Sequence, residues 1–297
     1  MKVVRGNDAP VPGPAHPYLH YAPLWVCGWS GASTLRSVWS VGHDRAQAAL
    51  AEQLAFYRRA AASFDRHKSG ALLDEATSRL RGVMDLSGDV LEIACGAGQW
   101  SKRLAGSARF LTAIAAAPEM VEFAHRRLTG RLAGRVEIVC ADVFDWQPRR
   151  RYQAVLFAFW LSHVPPARFE AFWELVATSL APDGVAAFID DGPDDAAFEE
   201  DLHADSDLPT VTRRLPDPGM ESGCIPIRQA RWRAGAGGPF DQPDSKYRVV
   251  KVLHDPEGLV RSLEELGWAA RVEPLLLPSP GRKGVFVGWA RRTMTRQ

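Results

Sequence analysis

The chain predicts an α/β protein built on a doubly wound, mostly parallel sheet with helices on both faces. Apolar strand segments recur at residues 90–94, 109–114, 136–140 and 154–160, and helical patterns alternate with them. The first of these strands runs directly into Gly96 and Gly98 at the mouth of a helix. Parallel strands need a crossover between them, usually a helix, so regular strand–helix alternation reads as a parallel sheet.

The elements follow in order. Residues 46–66 carry helical apolar spacing (Leu50, Leu54, Tyr57, Ala61, Phe64), and residues 72–84 read as a second helix, the two forming an N-terminal helical cap over residues 1–85. Residues 1–43 hold Pro, Gly, Trp25, Trp29 and Trp39. Aromatics at that density are unlike a disordered tail, so this stretch is expected to pack on the body or help cover a pocket, with roughly its first fifteen residues loose. Helices are expected at 99–104, 118–128 and 166–180, the last ending at a Pro182-Asp183-Gly184 turn before a fifth strand at 185–189. A helix at 256–266 precedes strands at 269–277 and 284–290. The core is thus 86–191 with 256–297, and 192–255 is an insertion in which 246–252 reads as one strand.

Composition bounds the function. With 297 residues, 46% hydrophobic and 24% charged, the chain can bury one large core and an accessory lobe. A net charge of +1 gives no global pull toward nucleic acid. The N-terminus lacks the apolar core of a signal peptide and no apolar run approaches a bilayer span, so a cytoplasmic protein without membrane contact is expected. Cys27, Cys95, Cys140 and Cys224 are scattered without a Cys-x-x-Cys pair, which fits reduced thiols and no resident metal. The partner expected on these grounds is a small molecule. Oligomeric state has no signature here.

Taken alone, the stretch VLEIACGAG (90–98) reads either as an ordinary glycine turn or as a pocket for a nucleoside-bearing ligand, in which two glycines let backbone approach the ligand and the next helix aims its N-terminus at it. With Asp142 closing the third strand and FWLSHVP (159–165) following the fourth, the chain resembles the class I S-adenosylmethionine-dependent methyltransferases, small-molecule type, from about residue 57 to the C-terminus. The resemblance implies a seven-stranded sheet closed by an antiparallel hairpin, S-adenosylmethionine as cofactor, and substrate recognition in the insertion after strand five. It also implies a cofactor site of Tyr57, Glu92, Ala94, Gly96, Gly98, Ala115, Asp142, Val143 and Ala158, with Phe159, Trp160 and His163 toward the substrate.

Within that site, Glu92 is placed to meet the methionine ammonium, or else to brace the loop. Asp142 is placed to accept from the adenine amino group, with the Val143 N–H beside it. Trp146 is read as lining the pocket or as core, and Tyr57 as a cofactor lid or a core tyrosine. His163 is the candidate general base for the proton of a phenol, hydroxyl or amine, with an imidazole-like rise of rate with pH; orienting or packing roles stand beside that reading. His254 and His43 have weaker cases. The acidic run from Asp190 to Asp201 reads as a solvated loop more readily than as a cation site.

Two positions depart from the family pattern. The acid that closes the second strand and accepts both ribose hydroxyls falls on Ala115, and Gln153 stands where Asp commonly opens the fourth strand. The favoured function is methyl transfer to a small, aromatic or apolar metabolite of secondary metabolism. Ala115 motivates the alternative, a methyltransferase-like cyclase or isomerase with altered or lost cofactor use, and a non-catalytic binding module is the third class. A nicotinamide-binding enzyme is disfavoured, because Ser101 stands where its third glycine belongs.

Overall fold

The computed structural model describes residues 2–5, 32–64, 70–128, 134–193, 202–203, 207–215, 246–275 and 284–293; side chains of 2–5, 32–44, 63–64 and 70–71 are not described. Among the described residues eleven strands form two sheets. The large one has the order β1-β4-β3-β2-β5-β6-β11-β10, where β1 is Lys2–Arg5, β2 Asp89–Ile93, β3 Phe110–Ala115, β4 Val136–Cys140, β5 Tyr152–Ala158, β6 Leu180–Asp191, β10 Trp268–Pro274 and β11 Val285–Arg292. Strands β1 to β6 pair in parallel, and β11 runs antiparallel between β6 and β10.

Seven of these strands are the ones expected. The eighth, β1, pairs in parallel with β4 and lies where the first residues were expected to be loose. For residues 2–5 that expectation is corrected: the four residues KVVR hold two β-branched valines suited to a strand, and β4 offers them an open edge. The Trp-rich stretch 6–31 lies outside the described residues.

Alternation along the strands builds both faces. Val90, Leu111, Ala113, Ile138, Leu156 and Ala187 point to one side, where they pack with Leu72, Leu73 and Leu80 of α2 (Gly70–Arg81), Trp100 and Leu104 of α3 (Gln99–Ser107), and Ala124 of α4 (Pro118–Arg127). Leu91, Ile93, Ile114, Val155, Phe157 and Phe188 point to the other, against Phe172, Trp173 and Val176 of α5 (Phe169–Ser179) and Leu259 and Leu263 of α6 (Pro256–Glu265). Aromatic rings dominate this second face, with Phe157 and Phe188 stacked at 5.5 Å. Helix α2 therefore belongs to the sheet core.

Helix α1 (Ala32–Phe64) begins well before residue 46 and serves as the cap. It packs on a small antiparallel sheet, β7-β8-β9 (Leu202–His203, Thr210–Arg214, Lys246–Val250), in the insertion, where one strand had been expected. Two differences concern local chemistry. Strand β6 starts at Leu180 and takes in the expected Pro182-Asp183-Gly184 turn, its register against β5 slipping between Tyr152 and Ala154. Strand β5 ends at Ala158, short of Trp160, because Phe159 turns the chain with φ +54° while donating its N–H to the Ile189 carbonyl.

Candidate active site

The carboxyl ends of β2, β3, β4 and β5 open into a cavity of about 340 Å³, roofed by α1. It is lined by Tyr57, Glu92, Ala94, Gly96, Ala115, Asp142, Val143, Ala158, Phe159, Trp160 and His163. Gly98 stands just behind as the N-cap of α3, at φ +79°, and Gly96 has φ +53°. Both angles lie in the left-handed region that glycine adopts without penalty. They differ in surroundings: a Cβ on Gly96 meets no heavy atom within 4 Å, whereas one on Gly98 comes within 3.0 Å of the Ala124 Cα.

Glu92 is 3% exposed at the end of β2. Asp142 braces its own loop, its Oδ1 accepting the Phe144 N–H at 3.0 Å. Trp146 is absent from the lining and sits in the core beneath the second face. Burial, reinforced by the Glu92 charge, pushes the Cys95 thiol well up, so this cavity-lining cysteine is not a thiolate. Gln153 accepts the Asp89 N–H at 2.7 Å, which ties the start of β2 to β5. Glu119, the acid nearest to Ala115 along the chain, is held by the Arg58 guanidinium through Nε to both of its oxygens at 3.0 and 3.1 Å and through Nη2 at 2.9 Å. It is not part of the lining.

His163 lies in a short 3-10 turn, Leu161–His163, directly after β5. Its Nδ1 stands 2.6 Å from the Val250 carbonyl, which only accepts, so Nδ1 carries the proton and Nε2 accepts from the Tyr57 hydroxyl at 2.9 Å. Desolvation, then the nearby Lys251 ammonium, lowers the imidazole pKa from 6.5 to about 3. The ring is neutral across the physiological range, and the expected imidazole-like rise of rate with pH is corrected on that ground. His254, lowered to about 4 mainly by burial, packs on Phe169 outside the lining, and the His43 side chain is not among those described.

Beside His163 lies a buried ionic cluster. Lys251 Nζ donates to Asp191 Oδ2 at 2.7 Å and lies 3.5 Å from the Ser162 hydroxyl, and Asp190 Oδ2 accepts the Ser162 N–H at 2.9 Å. Burial holds the Asp190 carboxyl above its usual value. The two acids that open the acidic run are thus committed to Lys251 and to the turn, and residues 194–201 of that run lie outside the described residues. Among the described residues no group of three metal-binding side chains occurs, and no helix is long and apolar enough to cross a membrane.

Residues 90–184 match a family model described as a methyltransferase domain. DhpI, in its complex with SAH, superposes with a TM-score of 0.62 at 31% identity, covering 84% of this chain and 98% of that one. The chain belongs to the S-adenosylmethionine-dependent methyltransferases. A second DhpI structure, a SAM-HEP complex, matches this methyltransferase with the same TM-score and identity over 82% of this chain and 98% of that chain. The glycopeptide N-methyltransferase MtfA, complexed with sinefungin, shares the fold at 17% identity, TM-score 0.52, covering 77% and 90%. No curated protein matches the sequence. These matches fall on methyltransferases, and the cyclase or isomerase alternative has no support among them.

The sequence reading passed over several lining groups of this methyltransferase: Leu50 and Leu54 from α1, Met120, Phe144 and Arg168. Nothing in their spacing marks them. Val250, which fixes the His163 tautomer, acts through its backbone and is invisible as a side chain. Lys251 did carry a signal, a lysine inside the apolar run VVKVL (249–253).

Proposed function

We propose that this methyltransferase moves the methyl group of S-adenosylmethionine to a small, largely apolar or aromatic acceptor held in the same cavity. The observation that carries this is the Tyr57–His163 pair on the cavity wall at the carboxyl edge of the sheet. Glu92 at the end of β2 would receive the ammonium group of the cofactor, the Gly96 turn its main-chain approach, and Asp142 with Val143 the adenine edge. Bound there, the cofactor supplies an already activated methyl group on sulfonium sulfur. The chain's task is then to position the acceptor, exclude water and dispose of one proton.

Tyr57 lines the cavity and His163 holds its hydroxyl. A phenolic oxygen accepts as well as donates, so the acceptor's proton passes to Tyr57 as the Tyr57 proton passes to His163 Nε2. The depressed imidazole pKa makes the histidine a weak resting base and keeps Nε2 open as an acceptor until the acceptor group becomes acidic during transfer. Aromatic faces from Phe159, Trp160 and Phe144 suit a flat acceptor.

Incubation with deuteromethyl-labelled S-adenosylmethionine and a panel of phenols, hydroxy acids and amines should give a labelled product with one class of acceptor. In that assay Tyr57→Phe and His163→Gln should each lower turnover ~10² to 10⁴-fold, with S-adenosylhomocysteine affinity within a few fold of wild type. Full turnover in both variants would remove the proton role, and absence of cofactor binding to the wild type would remove the function.

A further inference from the structure

Resting on the cofactor placement above, we infer that the site does not discriminate at the ribose hydroxyls and accepts adenosyl thioethers and sulfonium compounds whose ribose is deoxygenated. The sheet order carries this. Strand β3 lies between β2 and β4, with Glu92 pairing across to Ala113 and Ala115 across to Cys140. A ligand with its amino-acid end at Glu92 and its base at Asp142 therefore crosses the end of β3 with its middle, the ribose. What β3 presents to the cavity is Ala115, followed by Ala116, Ala117 and then Met120 of α4. Among the described residues this wall is methyl and thioether surface, with no carboxylate to take a pair of hydroxyl hydrogens.

The nearest replacement acid is out of play. Glu119 follows two residues after the alanine run, but the Arg58 guanidinium grips it through three hydrogen bonds and it lies off the lining. Glu92 and Asp142 sit one strand to either side, at the ends of the crossing. A third lining acid, Asp145, shares the turn of Asp142 on the β4 side, at the base end of the crossing. Gln47, Gln53 and Gln99 also line the cavity, but an amide offers one neutral acceptor oxygen where a carboxylate offers two charged ones, and that of Gln53 already accepts the Val250 N–H. A hydrogen bond to a charged group is worth roughly a 10-fold to 150-fold change in binding constant. Without one, removing a hydroxyl should change little.

Calorimetric titration of the full-length wild type with S-adenosylhomocysteine and its 2′-deoxy and 3′-deoxy analogues should give dissociation constants within about three-fold of one another. In Ala115→Asp the parent ligand should bind more tightly, and each deoxy analogue should fall behind it by ~10-fold or more. A wild-type gap of that size would overturn the inference, showing that another group holds the ribose; a closed gap in folded Ala115→Asp would overturn it too, placing the ribose away from β3. If Ala115→Asp fails to fold, the wild-type series decides alone. Loss of all binding, the parent ligand included, strikes at the function instead and takes this inference with it.

Discussion

At the scale of single residues, Gly96 and Gly98 share a backbone conformation and differ in what surrounds it. A left-handed conformation costs a side chain roughly 1 to 2 kcal/mol, more for a β-branched one. Gly96 faces open cavity, so Gly96→Val should lose S-adenosylhomocysteine binding by more than ~10-fold for a stability loss of that order. Gly98→Ala adds a clash with the Ala124 backbone to the same strain, so thermal melts should show the larger loss there. One ranking of the two variants in both measurements would refute this division. His163 makes a second prediction. Its folded pKa of about 3 lies below the ordinary 6.5, so below pH 6.5 the unfolded chain takes up a proton that the folded one refuses. Stability from this group is therefore complete above pH 6.5 and falls toward pH 3, by up to about 1.4 kcal/mol per pH unit. His254 adds to the trend between 6.5 and about 4, while Asp190, raised by burial, runs against it. Comparing His163→Gln with wild type by denaturant unfolding between pH 7 and 4.5 isolates the histidine: the stability difference should shift in the variant's favour as pH falls, and a constant difference would refute the assignment.

At the scale of elements, the insertion is joined to the core through Lys251. Lys251→Met leaves Asp190 and Asp191 buried without their cation, a change of about 3 to 5 kcal/mol for a broken buried pair. Hydrogen exchange should quicken in β9 and in the turn at Leu161–His163, whose Ser162 carbonyl accepts the Val252 N–H. Unchanged exchange in both would mean that the cluster does not hold them. The core elements were legible in the sequence because each rests on local pattern: Val90 to Ile93 are wholly apolar but for Glu92, and α6 begins with an Asp255 cap whose side chain accepts the Gly258 N–H. The end of β5 was not legible, since Phe159 reads as one more strand residue and its left-handed φ of +54° has no signature in an aromatic side chain. Nor was the join of α1 to β9, which rests on Glu52 gripping Arg248 and on Gln53 accepting the Val250 N–H, pairs almost 200 residues apart. Of the site, the glycine turn and the residues at strand ends were readable by position. The state of His163 was not, because burial and a remote carbonyl set it.

At the scale of the whole molecule, α1 is attached on three sides of the cavity: to α4 by Arg58–Glu119, to β9 by Glu52–Arg248, and to the β5 turn by Tyr57–His163. Filling the cavity should therefore slow exchange in α1 and β9 together with the 90–100 loop. At one hundred times its dissociation constant, S-adenosylhomocysteine should stabilise the protein by about 2.7 kcal/mol in denaturant unfolding. Protection confined to the loop would show that the cap moves independently of the ligand.

The Val250 carbonyl that settles the His163 tautomer lies 87 positions further along the chain. During synthesis, a ribosome-bound chain that has emerged only through β6 holds the glycine turn, Glu92 and Asp142, but not the acceptor that dictates which imidazole nitrogen bears hydrogen. The proton placement on His163 is thus a non-local property of the fold, supplied by the insertion and not by the strands that carry the glycine turn.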